Sequence, residues 1–190
     1  MTTITTPPEE TLSGSYSIDE AHSRIGFVAR HAMITKVRGS FNEFTGAGVL
    51  DIDNPEKSSV ELTIKVTSID TRNQMRDEHL RSNDFLDLAT FPEIHFVSTG
   101  VHALDGPTFR GLSVVGDLTI KGVTKEVSFD ADYTGAAVDP YGNHRIGFEG
   151  TTTLNRSDFG VSYNGVLEAG GVLISEAITL EFEISAIKAA

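Results

Sequence analysis

Several absences narrow what this chain can be. It contains no cysteine, which excludes disulfides, thiolate nucleophiles and cysteine-ligated metals. It has no run of about 18 consecutive apolar residues, so we expect no stable membrane insertion. Its first residues, MTTITTPPEE, show no basic segment followed by an apolar one, so we expect no signal peptide and a cytoplasmic location.

Positive charge is scarce. The chain has 15 Lys and Arg against 27 Asp and Glu, a net charge of −12. An acidic chain is repelled by phosphate backbones and by anionic membrane surfaces, so nucleic acid is not an expected partner. The simplest interpretation of the acidity is solubility. At 190 residues, of which 39% are apolar, the chain has the size and composition of one soluble globular domain.

Catalytic signatures are missing as well. The sequence shows no phosphate-binding loop, no dinucleotide fingerprint and no Gly-x-Ser-x-Gly elbow. The six histidines are His22, His31, His79, His95, His102 and His144. Their spacing fits no compact metal-ligand motif. We therefore expect no catalytic residues, no metal site and no cofactor.

What the chain does contain is a regular alternation between a mainly apolar face and a second face. In residues 24–31, one face carries Ile25, Phe27, Ala29 and His31, and the other carries Arg24, Gly26, Val28 and Arg30. Period-two patterning with aromatic and β-branched residues predicts a half-buried strand. The same alternation recurs along the chain and predicts about eight strands.

The alternation is interrupted at defined places. Residues 1–14 are rich in Thr, Pro and Glu without periodicity, which predicts a disordered tail before a single domain over 15–190. Phe41 and Phe44 are three apart, which predicts a bulge at Asn42 and Glu43. Residues 71–88 are polar and predict a short helical insert after the third strand.

Eight antiparallel strands can close into a barrel. Such an interior is filled by side chains or holds one small ligand, and closure removes exposed edges. At roughly 3.3 Å per residue, strands of about 8 to 12 residues span about 26 to 40 Å, which suits an elongated hydrocarbon. Periodicity alone favours an interior packed solid by Phe, Ile and Leu over an open one, because no pattern of inward residues demonstrates a cavity.

An ordered set of motifs resembles the YceI-like family of polyisoprenoid-binding, lipocalin-like barrel proteins. The motifs are YSIDEAHS (16–23), GSF (39–41), FTG (44–46), DEHLRSNDFLD (77–87), FPEIHF (91–96), GDLTIKGVTK (116–125) and NRSDFG (155–160). The resemblance implies an all-β fold, an extended eight-stranded antiparallel barrel with a helix at one end. It also implies an elongated apolar pocket for a polyprenyl chain or isoprenoid quinone, and a possible homodimer, because barrels of this family are often paired.

The inward faces of the predicted strands supply the expected ligand-binding residues. They are Ile25, Phe27, Ala29, His31, Phe41, Leu62, Ile64, Phe96, Leu118, Ile120, Phe129, Phe148, Leu180 and Phe182. His31 shares a face with Phe27, so we expect it to cap the pocket and meet a polar headgroup.

Four charged residues lie in or near the helical segments. They are Asp77, Arg81, Asp84 and Arg156. Structural ion pairs account for such groups more simply than a catalytic carboxylate pair does. We expect them to form buried ion pairs that hold the helix over the barrel mouth.

These observations favour a non-enzymatic protein that binds, stores or transports an isoprenoid lipid. One alternative is an enzyme acting on an isoprenoid substrate with His31 or His79 as base. A further alternative is a stress-related or assembly protein whose barrel holds no ligand and binds another protein. A product lost on His→Ala substitution would indicate the enzyme, and a barrel without a cavity would indicate the protein-binding module.

Overall fold

A computed structural model describes residues 11–190, which form eleven β-strands and one α-helix. The elements are β1 (Gly14–Ile18), β2 (Arg24–His31), β3 (Thr35–Phe41), β4 (Phe44–Leu50), β5 (Ser59–Lys65), β6 (Ile69–Asp70), α1 (Gln74–Arg81), β7 (Glu93–Ala103), β8 (Gly111–Ile120), β9 (Val123–Val138), β10 (His144–Asn155) and β11 (Ala177–Lys188). Of the tail predicted over 1–14, the first ten residues lie outside the described part. Leu12 is buried and Gly14 begins β1, so the folded chain starts ahead of residue 15.

Three barrel strands are interrupted and carry two element labels each. β2 pairs with β3 and β1 pairs with β4, so β1–β2 and β3–β4 run side by side as two long broken strands. The second break falls at Asn42 and Glu43, where the aromatic spacing predicts a bulge. β5 and β6 pair with β4 and β3 in turn and form the third broken strand.

Counted this way, the sheet is a closed eight-stranded barrel. The order is β1–β2, β3–β4, β5–β6, β7, β8, β9, β10 and β11, with every neighbouring pair antiparallel. β11 closes the ring by pairing with both halves of the first strand, Tyr16 opposite Lys188 and Phe27 opposite Leu180. The predicted fold class and the short helix after the third strand are confirmed.

The two ends of the barrel differ. At one end, called the closed end, a cluster of Leu12, Tyr16, Leu50, Ile146 and Ala186 packs with further aromatic side chains. At the other end, called the mouth, lie the β2–β3 turn, α1 and the segment 161–176. The larger core cluster lies between the ends and beneath the helix.

Local sequence explains the position of α1. The side chain of Asn73 accepts a hydrogen bond from the Arg76 backbone N–H at 3.0 Å and so caps the N-terminus of the helix. Arg81 donates to the carbonyls of Thr67 and Ile69 at 3.1 and 2.9 Å. The helix is therefore fastened to the end of the third barrel strand.

Candidate functional site

An apolar cavity of about 780 Å³ occupies the barrel interior. All eight barrel strands contribute side chains to its wall. Pockets for small ligands measure about 300 to 1,000 Å³, so this cavity has the size of a binding site. The interior is not packed solid by its own side chains.

The fourteen residues predicted to bind a ligand all line this cavity. Several of them, including Ile25, Phe27, Leu62, Phe129 and Leu180, are only partly buried although they point inward. Inward-pointing side chains retain exposed surface only where open space lies in front of them. The structure therefore brings the predicted set together around one space, and their contact with a ligand remains a prediction.

Glycines on neighbouring strands help to keep the cavity open. A Cβ atom placed on Gly39 would lie 2.3 Å from the Phe27 ring, and one on Gly150 would lie 2.5 Å from the Phe182 ring. The rings therefore lie flat against the wall over positions that have no side chain. The pairs are Phe27 with Gly39, Phe96 with Gly116 and Phe182 with Gly150.

Aromatic contacts hold these rings along the wall. The ring centroids of Phe96 and Phe129 are 5.4 Å apart, and those of Phe129 and Phe182 are 5.1 Å apart. Tilted and edge-to-face pairs at such distances are the favoured arrangements of aromatic rings. The rings pack on one another around the circumference, and the axis of the barrel stays free.

Packing and a hydrogen bond hold the closed end together. The Tyr16 hydroxyl donates to the Leu12 carbonyl at 2.6 Å. Burial raises the pKa of Tyr16, and the nearby Tyr133 adds to the shift. Tyr133 packs against Phe109 and Phe148, so the predicted lining residue Phe148 lies at the bottom of the cavity.

The cavity reaches the surface at the mouth, where its lining includes the exposed Met75 and His31. Three elements surround this opening and contact one another. The Ala32 N–H donates to the Leu173 carbonyl at 2.7 Å, which joins the β2–β3 turn to the segment 161–176. The ring of Tyr163 in that segment packs against His79 of α1.

Arg156 organises the segment at the mouth. The residue is only 5% exposed, and its side chain donates to the carbonyls of Ser175, Val161 and Tyr163 at 2.8 to 2.9 Å. Its ion-pair partner, Glu176, is half exposed at 49% and lies 3.2 Å away. The guanidinium is thus satisfied mainly by backbone carbonyls.

The predicted buried ion pairs among Asp77, Arg81, Asp84 and Arg156 are wrong. Asp77 is buried, but it accepts hydrogen bonds from the backbone N–H and the hydroxyl of Thr71. Asp84 pairs with His79 at the surface, at 2.8 Å. The helix is held by bonds between side chains and backbone, which supply partners for buried polar groups without a second buried charge.

The cavity wall carries polar groups at both ends. Toward the closed end, the hydroxyls of Tyr16 and Ser58 donate to the carbonyls of Leu12 and Asp51. The mouth is lined by His31, Arg76, His79 and Tyr163, together with the apolar residues Leu173 and Ile174 of the segment 161–176. Of this set, His31 is a predicted ligand-binding residue, and His79 is predicted only as the base of the alternative enzyme. The segment 161–176 shows no alternation that would mark its inward residues. Within residues 11–190, no cluster of three or more His, Asp or Glu side chains could hold a metal ion.

The described part of the chain contains no helix that is both long and apolar enough to cross a membrane.

Comparison with known proteins gives a consistent result. The sequence pattern of the YceI-like domain matches residues 16–186. A UPF0312 protein of Staphylococcus aureus is 38% identical over 173 residues, which cover 90% of this chain and 95% of that relative.

Solved structures share the barrel. The Campylobacter jejuni YCEI protein aligns with a TM-score of 0.71 at 28% identity and covers 85% of this chain and 90% of its own. A polyisoprenoid binding domain from Saccharophagus degradans, implicated in plant cell wall breakdown, aligns with a TM-score of 0.64 at 16% identity and covers 92% of this chain and 98% of its own. The similarity to the Saccharophagus degradans domain, at 16% identity, shows a shared fold. With its closed barrel and matching motifs, this chain belongs to the YceI-like domain family.

Proposed function

We propose that this protein binds an isoprenoid lipid, a polyprenyl chain or an isoprenoid quinone, inside the barrel, and stores or carries it without changing it chemically. The observation that carries the proposal is the apolar cavity of about 780 Å³ that runs from the mouth toward the closed end. The polyisoprenoid binding domain from Saccharophagus degradans has the same fold, which supports this ligand class.

The polar rings at the mouth favour one orientation of the ligand. The hydrocarbon tail points toward Phe148 at the closed end, and the headgroup lies at the mouth beside His31, His79 and Tyr163. Binding pockets of this kind combine an apolar wall with a few polar groups that fix orientation. A headgroup that accepts hydrogen bonds suits these side chains.

Burial of the tail supplies the affinity. Each CH₂ group removed from water contributes about 0.8 kcal/mol. The loss of translational freedom and of chain flexibility opposes this gain, and non-covalent affinities reach a ceiling near about −18 to −21 kcal/mol. Partial burial of a long prenyl tail is therefore sufficient for tight binding.

Native purification followed by solvent extraction and mass spectrometry tests the proposal. We expect a prenyl lipid to be recovered from the wild-type protein. Phe129→Asp places a carboxylate in the apolar wall and should abolish recovery, because a charge is costly to bury. Val97→Asp introduces the same charge at an exposed position beside Phe96 and should leave recovery unchanged.

Two outcomes would contradict the proposal. One is undiminished lipid in a folded Phe129→Asp protein, checked by circular dichroism. The other is conversion of the lipid into a defined product during incubation, with loss of the conversion in His31→Ala or His79→Ala, which would make the protein an enzyme.

A further inference from the structure

Exposed apolar side chains are concentrated at the mouth. Nine large hydrophobic residues of the described chain are exposed, and six of them lie around the opening. The six are Met33, Ile34, Met75, Tyr163, Val166 and Val172. Single exposed apolar residues are ordinary, but a group on one side of a protein marks an interaction site.

These residues project from three elements that hold one another. The β2–β3 turn is joined to the mouth segment by an isolated bridge between His31 and Ile174. A second bridge, between Val166 and Val172, makes the tip of that segment a small hairpin. Tyr163 packs on His79 of α1, the helix that also carries Met75. The apolar tips therefore form one rim around the cavity.

The β2–β3 turn places apolar residues in a backbone conformation that favours other residue types. Its central residues Ala32 and Met33 have φ values of 50° and 58°, and the Ile34 N–H donates to the His31 carbonyl. A turn with positive φ at both central positions favours Asn-Gly, and other residues are strained there. Here the strained turn instead presents Met33 and Ile34 to solvent, 58% and 78% exposed.

On the side of the rim formed by the β2–β3 turn, the charge is opposite in sign to that of the whole chain. Residues 21–42 include four basic residues and no Asp or Glu, in a chain of net charge −12. Three of the four, Arg30, Lys36 and Arg38, flank the turn and are exposed. Within residues 11–190, no carboxylate forms an ion pair with any of these three side chains. The segment 161–176 carries two acidic residues, Glu168 and Glu176, and Glu176 pairs with Arg156.

We propose that the mouth docks onto an anionic lipid bilayer. Met33, Ile34, Met75 and Val166 enter the interfacial region, and the basic residues beside the turn meet anionic headgroups. An apolar face rimmed by Lys and Arg binds such surfaces through the burial of apolar area and through attraction to anionic headgroups. The net negative charge of the remaining surface orients the protein with its mouth toward the bilayer and keeps the attachment reversible.

Docking of this kind lets a lipid pass between the bilayer and the cavity without crossing water. That transfer step rests on the proposed function, whereas the docking surface rests on the exposed residues and the charge. An experiment can therefore refute lipid binding without refuting docking, and the reverse.

Flotation of the full chain with vesicles tests the docking. The probes are vesicles of phosphatidylcholine with about a third phosphatidylglycerol, and vesicles of phosphatidylcholine alone. We expect binding to the anionic vesicles at low salt, and its loss at high salt because surface charges are screened. Lys36→Gln combined with Arg38→Gln should lower the affinity at least about fivefold. Lys57→Gln with Arg110→Gln removes the same charge near the closed end and should have no such effect.

A second variant separates docking from folding. Ala32→Asn with Met33→Gly gives the turn its preferred residues and removes an apolar tip. We expect this protein to unfold at a higher temperature and to bind anionic vesicles several-fold more weakly. Unchanged vesicle binding in this variant, or no flotation of the wild type at low salt, would overturn the proposal.

Two further results are distinguishable. If light scattering shows a dimer that the Ala32→Asn/Met33→Gly variant loses, and no vesicles are bound, the rim is a self-association surface and docking is overturned. Flotation by a protein whose extract contains no lipid would support docking and refute the proposed lipid ligand. Recovery of a lipid from a protein that does not float would support the lipid ligand and refute docking.

Discussion

The rings of His79 and Tyr163 meet edge to face, with centroids 5.0 Å apart and an interplanar angle of 77°. Phe85 completes the group at 5.0 Å from His79 and 5.1 Å from Tyr163. His79 belongs to α1 and Tyr163 to the mouth segment. This contact therefore joins the two elements beside the entrance to the cavity.

Tyr163→Ala removes this contact and should loosen the mouth. An aromatic pair contributes about 0.5 to 1.5 kcal/mol beyond its buried area, so we expect a modest loss of stability. The larger effect should be on kinetics, because the segment at the entrance moves more freely: an apolar fluorophore preloaded in the cavity should be released faster. Stopped-flow release into detergent measures the rate.

The control for this experiment is Tyr141→Ala. Tyr141 is 90% exposed and lies in the β9–β10 connection, away from the mouth. Its removal should leave the release rate unchanged. Equal release rates in Tyr163→Ala and the wild type would show that the contact does not limit exchange.

Arg156 should be among the most sensitive positions for stability. Arg156→Met leaves the buried carbonyls of Ser175 and Val161 without their donor. A buried polar group that loses its partner costs about 1 to 3 kcal/mol, so we expect the free energy of unfolding to fall by at least about 2 kcal/mol. Urea unfolding measures it.

A matched substitution checks that this loss comes from the buried hydrogen bonds. Arg38→Met removes the same charge from an exposed strand position and should change stability by no more than about 0.5 kcal/mol. If both variants lose the same stability, the backbone contacts of Arg156 are not what holds the mouth segment.

Gly39 should control the open space in the cavity. In Gly39→Ala, the new methyl group would overlap the Phe27 ring and press on the Thr71 methyl group. We expect the ring to swing into the cavity, with a loss of about 1 to 3 kcal/mol from overpacking and less lipid recovered on extraction. Gly39→Ala combined with Phe27→Leu should restore both, since the smaller side chain leaves room for the methyl group.

Wild-type lipid recovery and stability in the single variant would contradict this account of the open cavity. A crystal structure of Gly39→Ala would show directly whether the Phe27 ring has moved.

Much of the barrel is predictable from the sequence, because period-two alternation marks each inward face. All fourteen predicted lining residues face the cavity for this reason. The openness of the cavity is not predictable in this way. It depends on cross-strand neighbours such as Phe27 and Gly39, and Phe182 and Gly150, which come together only once the register is set.

The mouth is harder to predict for a different reason. Its segment 161–176 is held by hydrogen bonds from Arg156 to backbone carbonyls, which any residue can supply. A sequence shows the guanidinium but not its acceptors, and therefore favours a carboxylate partner. The resemblance to the family predicted the location of the helix but not these bonds.

Arg145 should make stability depend on pH in the acid range. Its guanidinium donates to Asp139 at 2.8 Å and to Asp19 at 2.5 Å, and so ties the β9–β10 connection to the junction of β1 and β2. The bond from Arg145 is the largest cause that lowers the pKa of both carboxyls below their ordinary 3.8, with Asn143 and His22 adding smaller effects.

The sign of the effect follows from these lowered pKa values. Near pH 3 the unfolded chain binds more protons at these two carboxyls than the folded protein does, so stability rises with pH there. The contribution is complete well above pH 3.8 and is lost as the pH falls toward the lower folded values.

Arg145→Met brings the folded pKa values back toward the ordinary value. Its deficit in the free energy of unfolding should therefore be largest at pH 5 to 7 and shrink progressively below about pH 4. Urea unfolding at pH 7, 5, 4 and 3 measures this difference, and a deficit that stays constant over the series would show that Arg145 acts by packing rather than through its charge.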